Sequence, residues 1–175
     1  AAGVTPGVER GRGHASTADV ARGLIDRDIL ANAERAIERD VAREPALAAD
    51  LRESVAKVRL ARGLPKDAVR IFAQVADYRS RALGVTAPET LRARQQQAGA
   101  LLEAAEPKDA LALVETALRD AATLPASEPL RLKLRLNQAE AIAALGDRPR
   151  ARKLMEALRG DAIELRGERD ATTME

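Results

Sequence analysis

Pro65-Lys66-Asp67-Ala68-Val69 and Pro107-Lys108-Asp109-Ala110-Leu111 are near-copies of each other, and their spacing of about 42 residues is of the size that marks an internal repeat. A looser third copy, Pro149-Arg150-Ala151-Arg152-Lys153, places Ala151 after Ala110 at the same spacing, short by a single position. Twelve residues before each of the three alanines stands another alanine: Ala56, Ala98 and Ala139. Five residues before them stand Gly63, Ala105 and Gly146. Glycine is the residue that best accepts the left-handed conformation closing a helix. A unit of about 40 residues with two helices, a small residue on each and a corner between them is the pattern of a stacked helical solenoid. The alanines would sit where helices cross, allowing close backbone approach.

Working outward, the spacing predicts three antiparallel pairs: roughly 46–62 with 65–83, 88–104 with 107–123, and 128–145 with 148–159. Pro65, Pro88, Pro107, Pro129 and Pro149 each fall in the first turn of a predicted helix, where a missing N–H removes no hydrogen bond. Gly84 and Gly160 are expected to end helices. Ahead of the pairs, Ser16-Thr17-Ala18-Asp19 is a helix start signal. The apolar stripe Val20, Leu24, Ile25, Leu30, Ala33, Ile37, Val41 then predicts a long helix, or two in near-continuation, over about 17–43, stopped by Pro45. Residues 1–16, with four glycines and Pro6, have the composition of a disordered linker. The domain expected is 17–160, and 161–175 a capping turn with a frayed tail. The fold class expected is all-α: a right-handed superhelix of three hairpins behind a capping helix.

Composition excludes whole classes of chemistry. With no cysteine, disulfide scaffolds, thiolate zinc sites, redox pairs and cysteine nucleophiles are all ruled out. Aromatic residues make up 1% of the chain, too few to build a large-ring core or a stacking platform for single-stranded nucleic acid. The 29 cationic and 27 anionic residues nearly cancel, so the net charge of +2 is not the footprint of a nucleic-acid binder. No stretch approaches the roughly 18 consecutive apolar residues needed to cross a bilayer as a helix. The chain begins Ala1-Ala2-Gly3 without Met or a signal segment, as expected of a piece of a longer, cytoplasmic protein.

The Gly-x-x-x-x-Ala steps (Gly63 to Ala68, Gly146 to Ala151), with an apolar residue four positions on (Phe72, Val114, Met155), resemble tetratricopeptide (TPR) repeats. Their usual period is 34; the period of about 42 here resembles the kinesin-light-chain type. That form joins its repeats through Gly-x-Asp-His-Pro-x-Thr-Leu. Gly84-Val85-Thr86-Ala87-Pro88-Glu89-Thr90-Leu91 has this frame, with Thr86 and Ala87 in place of Asp-His. The lead-in Leu24-Ile25-Asp26-Arg27, then Ile37, Pro45 and Leu51, resembles the helix before such repeats in large bacterial proteins that carry a Ser/Thr kinase or DNA-binding domain upstream. Two departures stand out. Arg52, Arg94 and Arg135 replace the aromatic expected early in each first helix, and Arg59, Leu101 and Ile142 occupy the large position seven residues on.

The inventory offers no catalytic constellation. His14 is the only histidine and lies in the Gly-rich lead, where a solvated linker residue is expected. Gly11-Arg12-Gly13 lacks both the preceding strand and the Gly-Lys-Ser/Thr ending of a phosphate loop. Ser16, Ser54, Ser80 and Ser127 have no histidine base within reach in such a fold. Glu34 and Glu38 are expected to pair locally with Arg35 and Arg39 on an exposed helix face. Neither a metal, a cofactor nor an enzymatic role is expected of this segment.

What remains is surface recognition. In TPR arrays the first helices line a concave groove for extended or helical peptides. The resemblance places Glu53 and Lys57 there, with Arg92, Gln95, Gly99, Lys133, Asn137 and Glu140. Their mixed signs do not reproduce the Lys/Asn/Arg set that clamps a C-terminal carboxylate in some relatives, so a mixed polar groove is expected. Arg52, Arg94 and Arg135 should stack as a ladder. It reads either as an anion- or phosphopeptide-binding strip, or as side chains laid over neighbouring helices and paired with local carboxylates, the reading favoured. The expected function is protein or peptide binding in a signalling protein such as a Ser/Thr kinase, without nucleic-acid or membrane contact. Two alternatives stay open: a ligand-sensing domain of a transcription factor, and a homodimer formed through Leu154, Leu158 and Ile163.

Overall fold

The computed structural model describes residues 28–29, 31–36, 39, 43–125 and 128–172, with side chains described as far as 163. The predicted linker with His14, the start signal at Ser16 and most of the 17–43 lead helix lie outside the described residues, as does Ser127. From Pro45 onward six helices follow one another: α1 (Pro45–Ala61), α2 (Pro65–Leu83), α3 (Pro88–Glu103), α4 (Pro107–Asp120), α5 (Pro129–Ala144) and α6 (Arg148–Thr172). No strand occurs among the described residues.

The repeat fixes the helix boundaries. Proline occupies the first turn of α1 through α5, including Pro45, which opens α1. Each hairpin corner turns through one left-handed residue: Gly63 at φ 70°, Ala105 at φ 60° and Gly146 at φ 96°. The same pair of hydrogen bonds recurs at each. The corner amide donates three residues back (Gly63 to Leu60, Ala105 to Leu102, Gly146 to Ala143), and the next amide donates five back (Leu64 to Arg59, Glu106 to Leu101, Asp147 to Ile142). This pairing satisfies the last carbonyls of the first helix of each hairpin. Between the first two hairpins, Gly84 takes φ 94°, ψ 161°, a region open essentially to glycine alone. The fully buried Thr90 donates its hydroxyl to the Gly84 carbonyl at 2.8 Å, which explains the Gly-to-Thr frame of that loop.

The crossing alanines lie where the spacing predicts. Ala56, Ala68, Ala98, Ala110, Ala139 and Ala151 are all buried. Each helix packs on the next in sequence, and α3 and α5 also touch directly, so first helices stack beside first helices. Apart from Phe72 the core is built from aliphatic side chains: Ile71, Val55 and Ala100 join Phe72 around the first corner, and Leu91, Val114, Ala117 and Leu134 pack around the second. Arg59 holds the position that Leu101 and Ile142 occupy in the later hairpins. It is equally buried, and ion pairs to Glu34 (2.9 Å) and Asp67 (2.8 Å) offset its desolvation.

Two expectations change. Gly160 does not end a helix; α6 runs through it to Thr172. Glycine lowers helix stability by only about 1 kcal/mol, and among the described residues no proline or left-handed residue follows to force a corner. Glu34 does not pair with Arg35 or Arg39. It reaches across to Arg59 and, at 3.7 Å, Arg70, while Arg35 bonds Asn32.

Candidate functional site

The first helices α1, α3 and α5 present one face whose polar side chains fall into two layers. The lower layer joins neighbouring helices. Glu53 on α1 forms an ion pair with Lys57 (2.5 Å) and another with Arg79 of α2 (2.6 Å), and accepts a hydrogen bond from the Gln96 amide of α3 (3.0 Å). Arg79 also reaches Asp50 at 2.8 Å. Burial alone would push the Glu53 carboxyl up, but the donors Lys57, Gln96 and Arg79 outweigh it and hold it at about 2, well below the ordinary 4.5. Arg79 moves the other way: burial disfavours its charge, and the carboxylates of Asp50 and Glu53 more than compensate.

The same contact recurs one hairpin later. Asn137 of α5, 5% exposed, donates its side-chain amide to the Gln95 carbonyl of α3 at 2.9 Å. Gln96 stands one repeat before Asn137, so it is the same repeat position reaching back to the preceding first helix. Two of the residues expected in the groove, Glu53 and Asn137, therefore belong to the joints between first helices. Gln96 is a joint residue outside the expected groove set, although its place one repeat before Asn137 signals it.

The upper layer is open. Lys57, Arg92, Lys133 and Glu140 are exposed, and Gln95 and Gly99 are half-buried. A side-chain carbon on Gly99 would meet only the Asn137 amide, at 3.8 Å. The arginine positions resolve individually. Arg94 pairs with Asp120 and Arg135 with Asp161, each carboxylate 26 residues on at the far end of the same hairpin. At that offset from Arg52 stands Tyr78. Among the described residues Arg52 makes no ion pair; it lies in a narrow recess with Glu34, Arg70 and Gln74.

Two further hollows flank this face. One, of about 350 Å³, lies between the Gly63–Asp67 corner and Glu103–Ala104. The other, of about 290 Å³, is an apolar cleft between α5 and α6. Among the described residues no group of three or more metal-ligating side chains comes together, and no helix is long and apolar enough to cross a membrane.

No family profile matches the chain, and no curated protein matches it in sequence. Among solved structures it is similar to nearly identical TPR-like repeats of a Podosopora anserina protein assigned as a kinesin light chain. Two crystal structures of those repeats align with it. One has a TM-score of 0.64 at 23% identity, covering 85% of this chain and 74% of that one. The other has a TM-score of 0.63 at 23% identity, covering 83% and 73%. The fold is that of a TPR-like helical-repeat solenoid.

Proposed function

We propose that this chain is a non-enzymatic protein-interaction module that docks a partner segment on the open layer of its first helices. The observation that carries this reading is the separation of the two layers. The buried Glu53 and Asn137 and the half-buried Gln96 are committed to contacts between helices. Lys57, Arg92, Lys133 and Glu140 stand exposed above them on a surface whose spacing is already set. Rigid placement lowers the ordering cost of binding. The mixture of signs favours a partner segment of mixed charge over a simple polyanion.

The wider context follows the resemblance of the lead-in and repeats: a cytoplasmic bacterial signalling protein with a Ser/Thr kinase domain upstream. Reading the frame before residue 1 for a Gly-rich loop and His-Arg-Asp tests that part. A winged-helix pattern there would favour a ligand-sensing regulator instead.

The docking face is tested by phage display of random dodecapeptides against the intact chain, followed by titration of the selected peptides. Arg92→Glu with Lys133→Glu should weaken them at least about tenfold, since charge reversals on an exposed rim act chiefly through electrostatic complementarity. Selected peptides that bind the double variant as well as the parent chain would sink this face as the docking surface.

A further inference from the structure

The arginine ladder is broken at one rung. In the second and third hairpins each ladder arginine meets a carboxylate 26 residues on, Arg94 with Asp120 and Arg135 with Asp161. The first hairpin repeats the arginine without its partner, because Tyr78 holds the place of those aspartates. Arg52 is half-buried all the same, and among the described residues it has no ion pair. A cation that gives up part of its hydration is ordinarily compensated by an anion. Here the fold supplies the cation and withholds the anion.

A second cation faces the same place. Arg52 of α1 lines one recess with Arg70 and Gln74 of α2, over the buried Ile71 and beside Glu34. Arg70 and Gln74 are one turn apart, so both present polar groups along a single stripe of α2. The Arg70 side chain is 55% exposed and comes no closer to Glu34 than 3.7 Å. That carboxylate is held at 2.9 Å by the buried Arg59, whose other partner is Asp67. Three cations thus meet two carboxylates, and the excess positive charge lies on the side of Arg52 and Arg70.

The size of the recess narrows what could balance it. At about 20 Å³ it has room for a single oxygen-sized group, and a ring or nucleobase is too large to enter. One oxygen of a compact oxyanion fits, with the others at the mouth beside the guanidinium groups. A single carboxylate balances a single arginine at the later rungs, whereas here two incompletely paired guanidinium groups call for a doubly charged group. Guanidinium forks match phosphate oxygens two at a time. We infer that Arg52, Arg70 and Gln74 form a binding site for a phosphate dianion, carried on a phosphorylated side chain of a partner or free in solution. Arg52 stands five residues before Lys57, about 140° round α1 from it, so the site faces away from the open layer of the first helices and does not rest on docking there.

The test follows the arginine side-chain N–H signals of the intact, isotope-labelled chain by NMR at neutral pH. The probes are N-acetyl-phosphoserine methylamide, its unphosphorylated counterpart, inorganic phosphate and acetate. The two phosphates should move the Arg52 and Arg70 signals saturably, acetate should bind at least about tenfold more weakly, and the unphosphorylated compound should move nothing. Tighter binding of the phosphoserine compound than of inorganic phosphate assigns the ligand to a phosphorylated partner; equal binding assigns it to the free anion. Arg52→Gln and Arg70→Gln should each weaken binding by about tenfold or more, with circular dichroism unchanged. Tyr78→Asp restores the arginine–aspartate pattern of the later hairpins and should lower phosphate affinity to the same degree; if it does not fold, Arg52→Gln carries the test. Arg92→Glu, on the docking face, should leave phosphate binding unaffected. The inference is overturned if phosphate moves neither arginine signal, if acetate binds as tightly, if Arg52→Gln binds like the parent chain, or if Arg92→Glu removes the binding.

Discussion

Asn137 spans 42 positions of sequence to donate to the Gln95 carbonyl at 2.9 Å, and with Gln96 and Glu53 it forms one repeated joint between first helices. A solenoid is held by interfaces between neighbouring units, so a bond of this kind sets how one hairpin sits on the next. Asn137→Ala should cost about 1–2 kcal/mol, from the lost hydrogen bond and the small void left at a buried site. The urea midpoint of the variant measures it. A change within error would show that the joint contributes nothing to coupling.

At the Glu53 end of this joint, stability depends on pH. Its carboxyl titrates at about 2 in the folded chain against an ordinary 4.5. A carboxyl depressed by folding stabilises the native state above its unfolded value, and that contribution is lost as pH falls toward the folded value. Stability should therefore be level above about pH 5 and decline between about 4.5 and 2, by on the order of 3 kcal/mol for this group. Glu53→Gln should lower stability at neutral pH and flatten the acid slope. Urea titrations at pH 7 and pH 3 compare the two; an unchanged slope in the variant would assign the acid response to other carboxyls.

The three left-handed corners differ in one residue. Gly63 and Gly146 carry no penalty there, whereas Ala105 holds φ 60° with a side-chain carbon. The left-handed region costs a non-glycine residue about 1 kcal/mol. Ala105→Gly should raise thermal stability by roughly that amount, with part of the gain offset by a more flexible unfolded chain. Gly63→Ala and Gly146→Ala should lower it by a similar amount, since nothing stands within 4 Å of the added carbon to contribute contact. Melting temperatures of the three single variants check the sign of each.

The corners and prolines were legible in sequence because they are backbone constraints. A left-handed residue, a proline at a helix start and an alanine at a crossing recur at fixed spacing regardless of what surrounds them. The face of the first helices was less legible. Glu53 and Lys57 lie one turn apart on the same helix, yet one is buried beneath the neighbouring hairpin and the other is open. The rotation of each hairpin on the last decides between them, and side-chain spacing along one helix does not contain that rotation. The course of α6 past Gly160 was missed for a related reason: glycine marks a corner only where the chain must turn, and no packing partner demands a turn there.

Gly99 supplies a prediction of opposite character. It lies inside α3 with no left-handed conformation to maintain, so its backbone freedom is a cost without a return. An added methyl would rest 3.8 Å from the Asn137 amide, an ordinary contact. Gly99→Ala should stabilise the chain by about 0.5–1 kcal/mol. If the chemical-denaturation midpoint falls instead, the side chain of Asn137 needs more room than the static contact indicates.

The last prediction concerns Arg59, which ties helical residues 31–36 to the first hairpin through Glu34. At the same repeat position Leu101 and Ile142 are apolar, so leucine fits the fold. Arg59→Leu removes a buried cation together with its desolvation cost, but leaves the Glu34 carboxylate, only 24% exposed, without its principal partner. Removing one member of a buried pair is more damaging than replacing both. The single variant should therefore loosen residues 31–36, while Arg59→Leu with Glu34→Leu should recover most of the loss. Hydrogen exchange resolves the effect by position: faster exchange in 31–36 for the single variant, near-parent rates for the double, and α3 through α5 unchanged in both. Faster exchange throughout the chain in the single variant would show instead that Arg59 supports the whole first corner, through Asp67 as much as through Glu34.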